Sequence, residues 1–459
     1  MIYEEAVRYL LTLGRELASP SHARAAKFDL RNITVLAERL GNPQRRYPCA
    51  HIAGTNGKGT TAALLENILR SAELHTGLYT SPHLERINER IRLDGEDIAD
   101  GEFTEAFTRL VAIIEDLLAL GPEAGGLAAH PTYFECLTAM AFDIFARRGV
   151  DFAAFEVGMG GRLDATNIVA PEVAVITQID FDHENFLGHS IEEIAREKAG
   201  IIKPGAWVVS AAQNPAARTV IARRAAEQDA RVVDVDTTYH VENVREEDGC
   251  YRATVSSAHS AHTIEIALPL PGRFQLRNAV AALAAARLLA ERGFPIDDAA
   301  IARGIATVRW PGRLERVRER PAVFLDGTHN PAGARELLAF WREHCRDRRI
   351  ILIYGAMRDK AVDEITGLLF PHAARILVTQ PRQTRAISAA ALAAMTRHLS
   401  DCIDVVEVPE EAMEEALELA GPDDVIFATG SLYLVGDLRR WWRTQEAAFP
   451  AQAQKMPRA

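Results

Sequence analysis

One short stretch constrains the fold of this chain more than any other, because a strand pattern, a glycine-rich loop and a helix pattern follow each other directly. The apolar run "YPCAHIA" (47–53) predicts a strand, "GTNGKG" follows it, and helical spacing runs from Thr60 to Ser71. Such a loop brings backbone N–H groups and the positive end of a helix dipole together, which favours an anion. The stretch predicts a phosphate-binding loop. The plainer alternative is a glycine-rich turn with a solvated lysine.

The spacing of this loop departs from the common phosphate-loop pattern G-x-x-x-x-G-K-[ST]. If Gly57 and Lys58 form its G-K pair, the first glycine falls on Ile52, and Gly59 separates Lys58 from Thr60. The loop nevertheless keeps glycines that let the backbone curl, a lysine and hydroxyl groups at the start of a helix. It is therefore predicted to bind phosphate with a spacing of its own.

Strand and helix patterns alternate along most of the chain, and this alternation indicates the fold class. Strands are predicted at 75–80, 151–157, 172–178, 206–211, 322–327, 349–355, 375–380, 404–409 and 424–430, and helices at 4–17, 33–40 and 274–293. Short apolar strands separated by helices form βαβ units and mostly parallel sheets. Residues from about 232 to 270 are the exception, because they have the pattern of antiparallel strands with a turn at Asp248-Gly249.

These patterns divide into two α/β domains and a tail. Residues 1–308 are predicted to form an ATPase domain with a P-loop-type, mostly parallel sheet, and residues 309–447 a smaller, Rossmann-like α/β domain. The boundary is the basic, proline-bracketed stretch "RWPGRLERVRERP" (309–321). Residues 448–459 are predicted to be a disordered tail.

Charge and cysteine usage narrow the partners and the compartment. The net charge of −11 argues against nucleic acid as the main partner, because phosphate backbones are held by basic surfaces. The five cysteines are scattered and never in C-x-x-C spacing, which fits a reducing compartment and provides no zinc motif. The N-terminus has no signal-peptide pattern and no apolar stretch is long enough to span a bilayer, so we expect a cytoplasmic protein.

Three polar side chains follow predicted strands of the first domain. Ser81 follows "HTGLYT", Glu156 lies in "DFAAFEV", and His183 follows "EVAVITQ". Ligands of open parallel sheets bind beyond the carboxyl ends of strands, so these side chains cluster beside the phosphate loop if their strands are neighbours. Together they could complete a Mg²⁺ shell, although histidine is an unusual ligand for this ion. The plainer roles are a helix cap, a solvated carboxylate and a hydrogen-bonded imidazole.

Two further segments of the first domain are glycine-rich or basic. "GMGGRLDATN" does not fit the dinucleotide pattern, because Leu163 stands where its third glycine would be. It is predicted to form a second close-approach loop, with Arg162 and Asp164 available for a substrate. Lys198 lies near the end of a helix, where the dipole favours a cation, and from position alone it is predicted to be a surface lysine.

The motifs together resemble the folate branch of the Mur ligase superfamily, whose members are dihydrofolate synthase and folylpolyglutamate synthase, often combined in one bifunctional bacterial enzyme. The resemblance covers nearly the whole chain. It rests on eight blocks that occur in this order: "AGTNGKGTT", "TSPHLERINERI", "TYFECLTAMAF", "EVGMGGRLDATN", "DHENFLG", "EKAGIIKPG", "WPGRLE" and "DGTHNPAG". The first block matches the family's own ATP loop, which explains the unusual spacing around Gly59.

The resemblance also implies roles for individual residues. The nucleotide-binding residues it implies are Asn56, Gly57, Lys58, Gly59, Thr60, Asn278, Arg313, Asp326 and His329. The magnesium ligands are Ser81, Glu156 and His183, and the catalytic residues are Lys58, Lys198, His183 and Arg313. The residues that match the pteroyl-binding region are Phe28, Asp29, Leu30, Thr132, Tyr133, Phe134, Glu135 and Leu163. Lys198 matches a lysine that is carbamylated to N6-carboxylysine, which requires burial to lower the pKa of its amine.

The implied activity is ATP-dependent ligation of L-glutamate to the carboxylate of dihydropteroate, of (poly)glutamylated tetrahydrofolate, or of both, through an acyl phosphate. The implied partners are ATP, Mg²⁺, a pteroyl compound and L-glutamate, and the protein is expected to be a monomer. One alternative is a Mur-type ligase that acts on a UDP-sugar peptide, with the same fold and chemistry. Another is a nucleotide-binding switch that hydrolyses ATP slowly without an acceptor.

Overall fold

Three β-sheets organise the part of the chain that the computed structural model describes, which is residues 1–13, 29–247, 249–258 and 260–448. Phe28 and residues 449–459 of the predicted tail lie outside the described residues, whereas Ala448 ends the last helix. The α/β class and the mostly parallel sheets are as the sequence predicts.

The first sheet has eight strands in the order β4-β3-β2-β5-β1-β6-β7-β8. In chain order, β1 to β8 are Cys49–Ala53, Thr76–Tyr79, Ile91–Leu93, Glu96–Asp97, Phe152–Glu156, Val173–Ile176, Trp207–Ser210 and Arg231–Asp234. Six neighbouring strands are parallel to one another: β2, β5, β1, β6, β7 and β8. At one edge, β3 and β4 extend the sheet as an antiparallel ribbon. The sequence patterns predicted neither this ribbon nor β8, because these strands are short or exposed.

The strand order brings four carboxyl ends side by side. β2, β5, β1 and β6 are neighbours and parallel, and Ile52 of β1 pairs with Glu156 of β5 and Val175 of β6. Ser81, Glu156 and His183 therefore lie at or beyond the ends of strands next to the loop that follows β1. The condition on which the predicted cluster depended, that these strands are neighbours, is met.

Helices cover both faces of this sheet. In chain order, α1 to α11 are Tyr3–Leu13, Arg31–Arg39, Lys58–Ser71, Asp100–Leu120, Tyr133–Arg148, Glu184–Leu187, Ile191–Ala199, Pro215–Glu227, Val235–Thr238, Phe274–Glu291 and Asp298–Ala306. α3 and α10 are buried almost all round and pack in one core with β1. A helix that is apolar on every side is stable only when buried, which explains the alanine-rich sequence of α10.

A small antiparallel sheet shields α10 from the outside. Its strands β9 to β11 are Tyr239–Glu247, Cys250–Ser257 and Ser260–Leu268. Their inward residues, among them Tyr251, Val255 and Ile266, join the core that contains α10. The predicted antiparallel segment is therefore confirmed, and Gly249 of its turn has a φ of 77°, a conformation that suits glycine.

The third sheet belongs to the C-terminal part of the chain and has the order β12-β13-β17-β14-β15-β16. Its strands β12 to β17 are Glu315–Glu319, Ala322–Leu325, Ile350–Tyr354, Arg375–Val378, Ile403–Val405 and Val425–Thr429, and its helices α12 to α16 are Pro331–His344, Val362–Leu369, Ala389–Thr396, Pro409–Leu419 and Leu432–Ala448. Only β12 is antiparallel to its neighbour. In the described ranges, no helix is both long and apolar enough to cross a membrane.

Candidate active site

A cleft lies between the carboxyl ends of β1, β2, β5 and β6 and the loops that flank β13 in the third sheet. It brings together the predicted nucleotide, metal and catalytic residues. Those that line it are Asn56, Gly57, Lys58, Gly59, Thr60, Ser81, Glu156, His183, Lys198, Asn278, Arg313, Asp326 and His329. Residues far apart in the sequence therefore meet at one place.

The loop after β1 is held in shape by the segment that follows β6. Thr55 N–H donates to Gln178 O at 2.7 Å, Thr55 Oγ1 donates to Asp180 O at 2.9 Å, and Thr177 Oγ1 donates to Asn56 O at 2.7 Å. α3 begins at Lys58, so the positive end of its dipole points into the cleft. These bonds preorganise the loop for an anion.

Gly59, the glycine that breaks the common phosphate-loop spacing, faces Glu156. A Cβ at this position would lie 3.2 Å from Glu156 Oε2 and 3.1 Å from Trp310 Cζ2. Both neighbours are held in the cleft wall, so a side chain here would push against the carboxylate predicted to bind metal. The extra glycine is thus explained by close approach of α3 to the end of β5.

Glu156, Ser81 and Lys58 form the centre of the cleft. Ser81 N–H donates to Glu156 Oε2 at 2.9 Å, and Lys58 Nζ donates to Thr55 O at 3.0 Å. Burial raises the pKa of the Glu156 carboxyl, while the Lys58 ammonium and the Ser81 N–H oppose that rise. A second cation or a metal would stabilise the charged carboxylate further.

His183 meets a cation from the C-terminal domain. Lys360 Nζ lies 2.9 Å from Asp182 Oδ1 and 3.4 Å from His183 Nε2. Burial and Lys360 lower the pKa of His183 to about 4, so its imidazole is neutral at pH 7. A neutral ring nitrogen is the form that binds metal. His183 also has a φ of 53°, in the left-handed region, which turns the chain sharply after Asp182.

Lys198 is buried, and the prediction of a surface lysine from its position alone is wrong. Only 4% of the residue is exposed, and its Nζ donates to Gly54 O at 2.7 Å. The second glycine loop packs closely on α7 at Gly161, where a Cβ would lie only 3.0 Å from Lys198 O. The Lys198 side chain is directed inward, toward the phosphate loop. Burial, with Lys58 adding to its effect, lowers the pKa of the Lys198 amine to about 7.

The linker between the two sheets contributes Arg313, which is fixed near the loop after β13. Asp326 accepts hydrogen bonds from Leu314 N–H at 2.9 Å and from Thr328 N–H at 3.0 Å. His329 Nδ1 lies 2.8 Å from Gly327 O. The carboxylate of Asp326 thus ties the linker to the β13 loop, and its predicted contact with the nucleotide would be an additional one.

None of the described residues of the predicted pteroyl region is among those that line the cleft, although Phe134 contacts one that does. Thr132 and Glu135 form a capping box at the N-terminus of α5, in which Glu135 Oε2 accepts from Thr132 N–H at 2.7 Å. Leu30, Tyr133 and Phe134 pack on one core. Phe134 also reaches the cleft margin, since a Cβ at the lining residue Gly158 would be 2.5 Å from its ring.

Three of the remaining residues singled out from the sequence, Asp29, Asp164 and Arg162, have partners within the protein. Asp29 accepts from Arg31 N–H at 2.9 Å at the start of α2, and Leu163 is partly exposed in the second glycine loop. Asp164, which the sequence suggested for a substrate, is buried and accepts from Met159 N–H at 2.9 Å and Thr166 N–H at 3.0 Å. Arg162 pairs with Glu197 at 2.8 Å. Asp164 thus stabilises its own loop, whereas Arg162 ties that loop to α7, and a contact of Arg162 with a substrate stays a prediction.

Two residues of the cleft region, Asn330 and Lys360, were missed by the sequence analysis. Asn330 exchanges hydrogen bonds with Asn56 at 2.8 and 3.1 Å and donates to Asp182 at 3.3 Å. Lys360 approaches Asp182 from the other domain. Asn330 stands in the motif "DGTHNPAG", which was a usable signal, but no local pattern distinguishes Lys360.

The donors at the cleft fit a magnesium ion that arrives with phosphates. Within the described ranges, no group of three or more His, Cys, Asp and Glu side chains is placed to hold a metal. Ser81, Glu156 and His183 supply one hydroxyl, one carboxylate and one imidazole around the phosphate loop. Mg²⁺ is commonly held by one or two carboxylates together with substrate phosphates and water, so this incomplete set suits it.

Known proteins are similar to this chain over nearly its whole length. A family model of the Mur ligase middle domain matches residues 102–286, and one of the Mur ligase glutamate ligase domain matches residues 312–432. The dihydrofolate synthase/folylpolyglutamate synthase of Bacillus subtilis is 34% identical over 94% of this chain and 99% of its own length. The chain belongs to the folate branch of the Mur ligases. The resemblance predicted from its motifs is thereby confirmed.

Other folate-branch Mur ligases agree in sequence and in structure. The folylpolyglutamate synthase of Mycobacterium tuberculosis, solved in complex with ADP and AMPPCP, superposes with a TM-score of 0.83 at 35% identity, over 95% of this chain and 99% of that one. A probable bifunctional folylpolyglutamate synthase/dihydropteroate synthase of Halobacterium salinarum is 36% identical over 97% of this chain. This chain spans about half of that relative, 52% of its length.

The Lys360–Asp182 pair of this folate-branch Mur ligase has a measurable consequence. Their side chains are only 10% and 12% exposed, and Lys360→Met would leave the Asp182 carboxylate without its ammonium. Removing one partner of a buried pair costs about 3 kcal/mol. We expect the thermal unfolding midpoint to fall by roughly 5 °C, measured by calorimetry or circular dichroism.

The ion pair between Arg335 and Asp180 serves as the control, because it also joins the segment after β6 to the C-terminal domain. Arg335 lies 2.9 Å from Asp180, but its side chain is 52% exposed. Exposed pairs contribute about 0–1 kcal/mol, so Arg335→Met should lower the midpoint by no more than about 2 °C. Equal effects of Lys360→Met and Arg335→Met would contradict a special role for the buried pair.

Proposed function

We propose that this chain is an ATP-dependent ligase that joins L-glutamate to the carboxylate of dihydropteroate, of (poly)glutamylated tetrahydrofolate, or of both. The observation that carries the proposal is the cleft in which the phosphate loop, Ser81, Glu156 and His183 face Arg313. The similarity to relatives with folate-ligase names over nearly the whole chain supports the same acceptor class.

The chemistry follows from the poor reactivity of a carboxylate. An oxygen of the acceptor carboxylate attacks the γ-phosphorus of ATP, its new O–P bond forms as the bond to ADP breaks, and an acyl phosphate results. The neutral amino group of glutamate then attacks the acyl carbon, the C–N bond forms as the C–O bond to phosphate breaks, and the nitrogen loses one proton to the departing phosphate or to water. Lys58 and Arg313 offset the negative charge that develops. Mg²⁺ held by Ser81, Glu156 and His183 would supply further charge neutralisation when bound.

Lys198 is proposed to be N6-carboxylysine in the active enzyme. Its buried amine has a pKa of about 7, so a large neutral fraction exists at neutral pH. The neutral nitrogen attacks CO₂, an N–C bond forms, and one proton leaves the nitrogen. The carbamate places a negative charge beside the phosphate loop, where the protonated amine would be positive. This negative charge would help to hold a second Mg²⁺ in addition to the one proposed at Ser81, Glu156 and His183.

Contacts across the cleft support a reaction in a closed state that excludes water. Asn56 bonds Asn330, and Asp182 meets Lys360, so the phosphate loop region touches the C-terminal domain directly. Closure around the linker near residue 310 would bring Arg313 and Asp326 to the nucleotide, as proposed for lids in general. The division of the chain into domains 1–308 and 309–447 remains a prediction.

The partners and the compartment are also proposals. The small molecules would be ATP, a pteroyl compound and L-glutamate. In the described ranges none of the five cysteines forms a disulfide, which favours the reducing cytoplasm. We propose that the protein works there as a monomer.

One assay tests the function. Purified protein with MgATP and L-glutamate is given dihydropteroate or tetrahydrofolate, and ADP release and the glutamylated product are measured by chromatography and mass spectrometry. We expect a product with at least one acceptor, and the ratio of the two rates assigns the specificity. Phosphate release with a UDP-sugar peptide alone would favour the Mur-type alternative. Slow ATP hydrolysis at a rate that no acceptor changes would favour the nucleotide-binding switch.

A further inference from the structure

Arg90 is a buried guanidinium without a carboxylate partner. It ends the turn Ile87–Arg90 in the block "TSPHLERINERI", and only 6% of the residue is exposed. Of all the carboxylates in the described ranges, none lies within the 4.0 Å of an ion pair with it. Arginine is almost never buried unless it is paired. The charge of Arg90 acts on the buried Glu156 only from beyond ion-pair distance, so the guanidinium has a place for a directly bound anion that the chain does not supply.

The guanidinium is nevertheless held in a defined orientation. Its Nε donates to His83 Nδ1 at 2.9 Å, and its plane lies over the ring of Tyr133 at 5.2 Å from the centroid. A guanidinium nitrogen can only donate, so His83 Nδ1 is the acceptor of that bond and fixes the orientation of the fork. The two Nη groups have no described hydrogen-bond partner, and neither is sealed from solvent. A fixed fork of this kind matches a carboxylate in shape and charge.

The fork lies between the metal ligands and the pteroyl region. The backbone O of Arg90 accepts from Thr80 N–H at 3.0 Å, and the next residue, Ser81, donates its own N–H to Glu156. On the other side, the ring beneath the guanidinium is Tyr133, in the segment predicted to bind the pteroyl group. An acceptor lying between these two groups would extend its carboxylate past Arg90 toward Glu156.

We propose that Arg90 binds the acceptor carboxylate that is activated by ATP and holds it for attack on the γ-phosphorus. This inference rests on the proposed function and adds a residue that selects the ionised acid. Arg90 forms no covalent bond: the carboxylate oxygen bonds to phosphorus, ADP leaves, and the guanidinium retains only hydrogen bonds to the acyl group. Holding both oxygens in one plane fixes the direction of attack.

The test compares the binding of pteroate with that of its carboxamide, which has the same rings but no charge. Both are titrated by fluorescence into wild type, Arg90→Gln and Arg90→Lys in the presence of Mg²⁺ and a non-hydrolysable ATP analogue. We expect wild type to prefer pteroate by roughly 10- to 100-fold, the range of a charged hydrogen bond. Arg90→Gln should bind both within about twofold, and Arg90→Lys should retain part of the preference.

Arg86→Gln is the matched control. Arg86 lies in the same loop and also over a tyrosine ring, at 5.7 Å from that of Tyr3, but it is exposed and paired with Asp100. It should keep the wild-type preference for pteroate. Unfolding midpoints of all variants show whether each one is folded.

Two results would overturn the role of Arg90. The first is an undiminished preference for pteroate in Arg90→Gln. The second is an equal loss of both ligands, which would assign Arg90 to the packing of Tyr133. A wild type that neither binds pteroate nor ligates glutamate would instead refute the proposed function, and with it this inference. The wild-type titration alone separates that failure from the others.

Discussion

Lys198→Ala is expected to lower the rate of glutamate ligation by roughly 10- to 100-fold, the range seen when groups that position a catalytic metal are removed. The amine of Lys198 is buried beneath the phosphate loop and bonded to Gly54 O at 2.7 Å. Alanine removes both this bond and the only nitrogen in that position that could carry a carbamate. Bicarbonate should therefore not restore the activity of the variant. The measurement is kcat and KM for MgATP with a saturating acceptor.

Lys203→Ala is the matched control for this prediction. Lys203 lies five residues further along the chain, and its Nζ also donates to a backbone oxygen, that of Asn167, at 2.8 Å. It is not part of the cleft lining, so its removal should change stability rather than turnover. Near-normal kcat in Lys198→Ala, or equal losses in the two variants, would exclude an essential carbamate at Lys198.

The pH dependence provides an independent measurement. Only the neutral amine reacts with CO₂, and its fraction rises as the pH passes the Lys198 pKa of about 7. Carbamate formation in the wild type should therefore decrease below that pH and in CO₂-depleted buffer. Carbon-13 NMR with labelled bicarbonate should show a carbamate resonance in the wild type and in Lys203→Ala, but not in Lys198→Ala.

Much of the fold was predictable because its patterns are local. The apolar strands and the helices between them follow from periodicity, and the buried helix α10 from its alanine-rich composition. The order of the strands is not a local property. Ser81, Glu156 and His183 follow strands in three different βα units, and only the neighbouring positions of β2, β5, β1 and β6 bring them together. The motif resemblance supplied that knowledge before the structure did.

The residues that were misjudged differ in how far the sequence could have revealed them. Lys198 is 4% exposed and lies on the apolar face of α7 with Ile191 and Ile194, so helical spacing indicated its burial and only its charge suggested a surface position. Asp182 and Lys360 are separated by 178 positions and meet only because the two domains do. Contacts between domains leave no periodic pattern in either segment.

Gly57→Ala is expected to weaken MgATP binding by about tenfold or more, because two separate obstacles oppose a side chain there. Gly57 precedes α3 with a φ of 86°, which L-residues rarely adopt. A Cβ would also overlap Asn278 Oδ1, and Asn278 is 8% exposed and bonded to Gln275 at 2.8 Å. Either the loop or α10 must move, and both line the predicted nucleotide site.

Gly205→Ala separates these two obstacles. Gly205 also has a left-handed φ, 67°, but nothing lies within 4 Å of its missing Cβ. Both variants therefore share a backbone cost of about 1 kcal/mol or more, and only Gly57→Ala adds the collision with Asn278. Calorimetric titration with a non-hydrolysable ATP analogue should show wild-type affinity in Gly205→Ala and a loss in Gly57→Ala. If Gly57→Ala binds the analogue as tightly as Gly205→Ala does, this loop does not hold the phosphates.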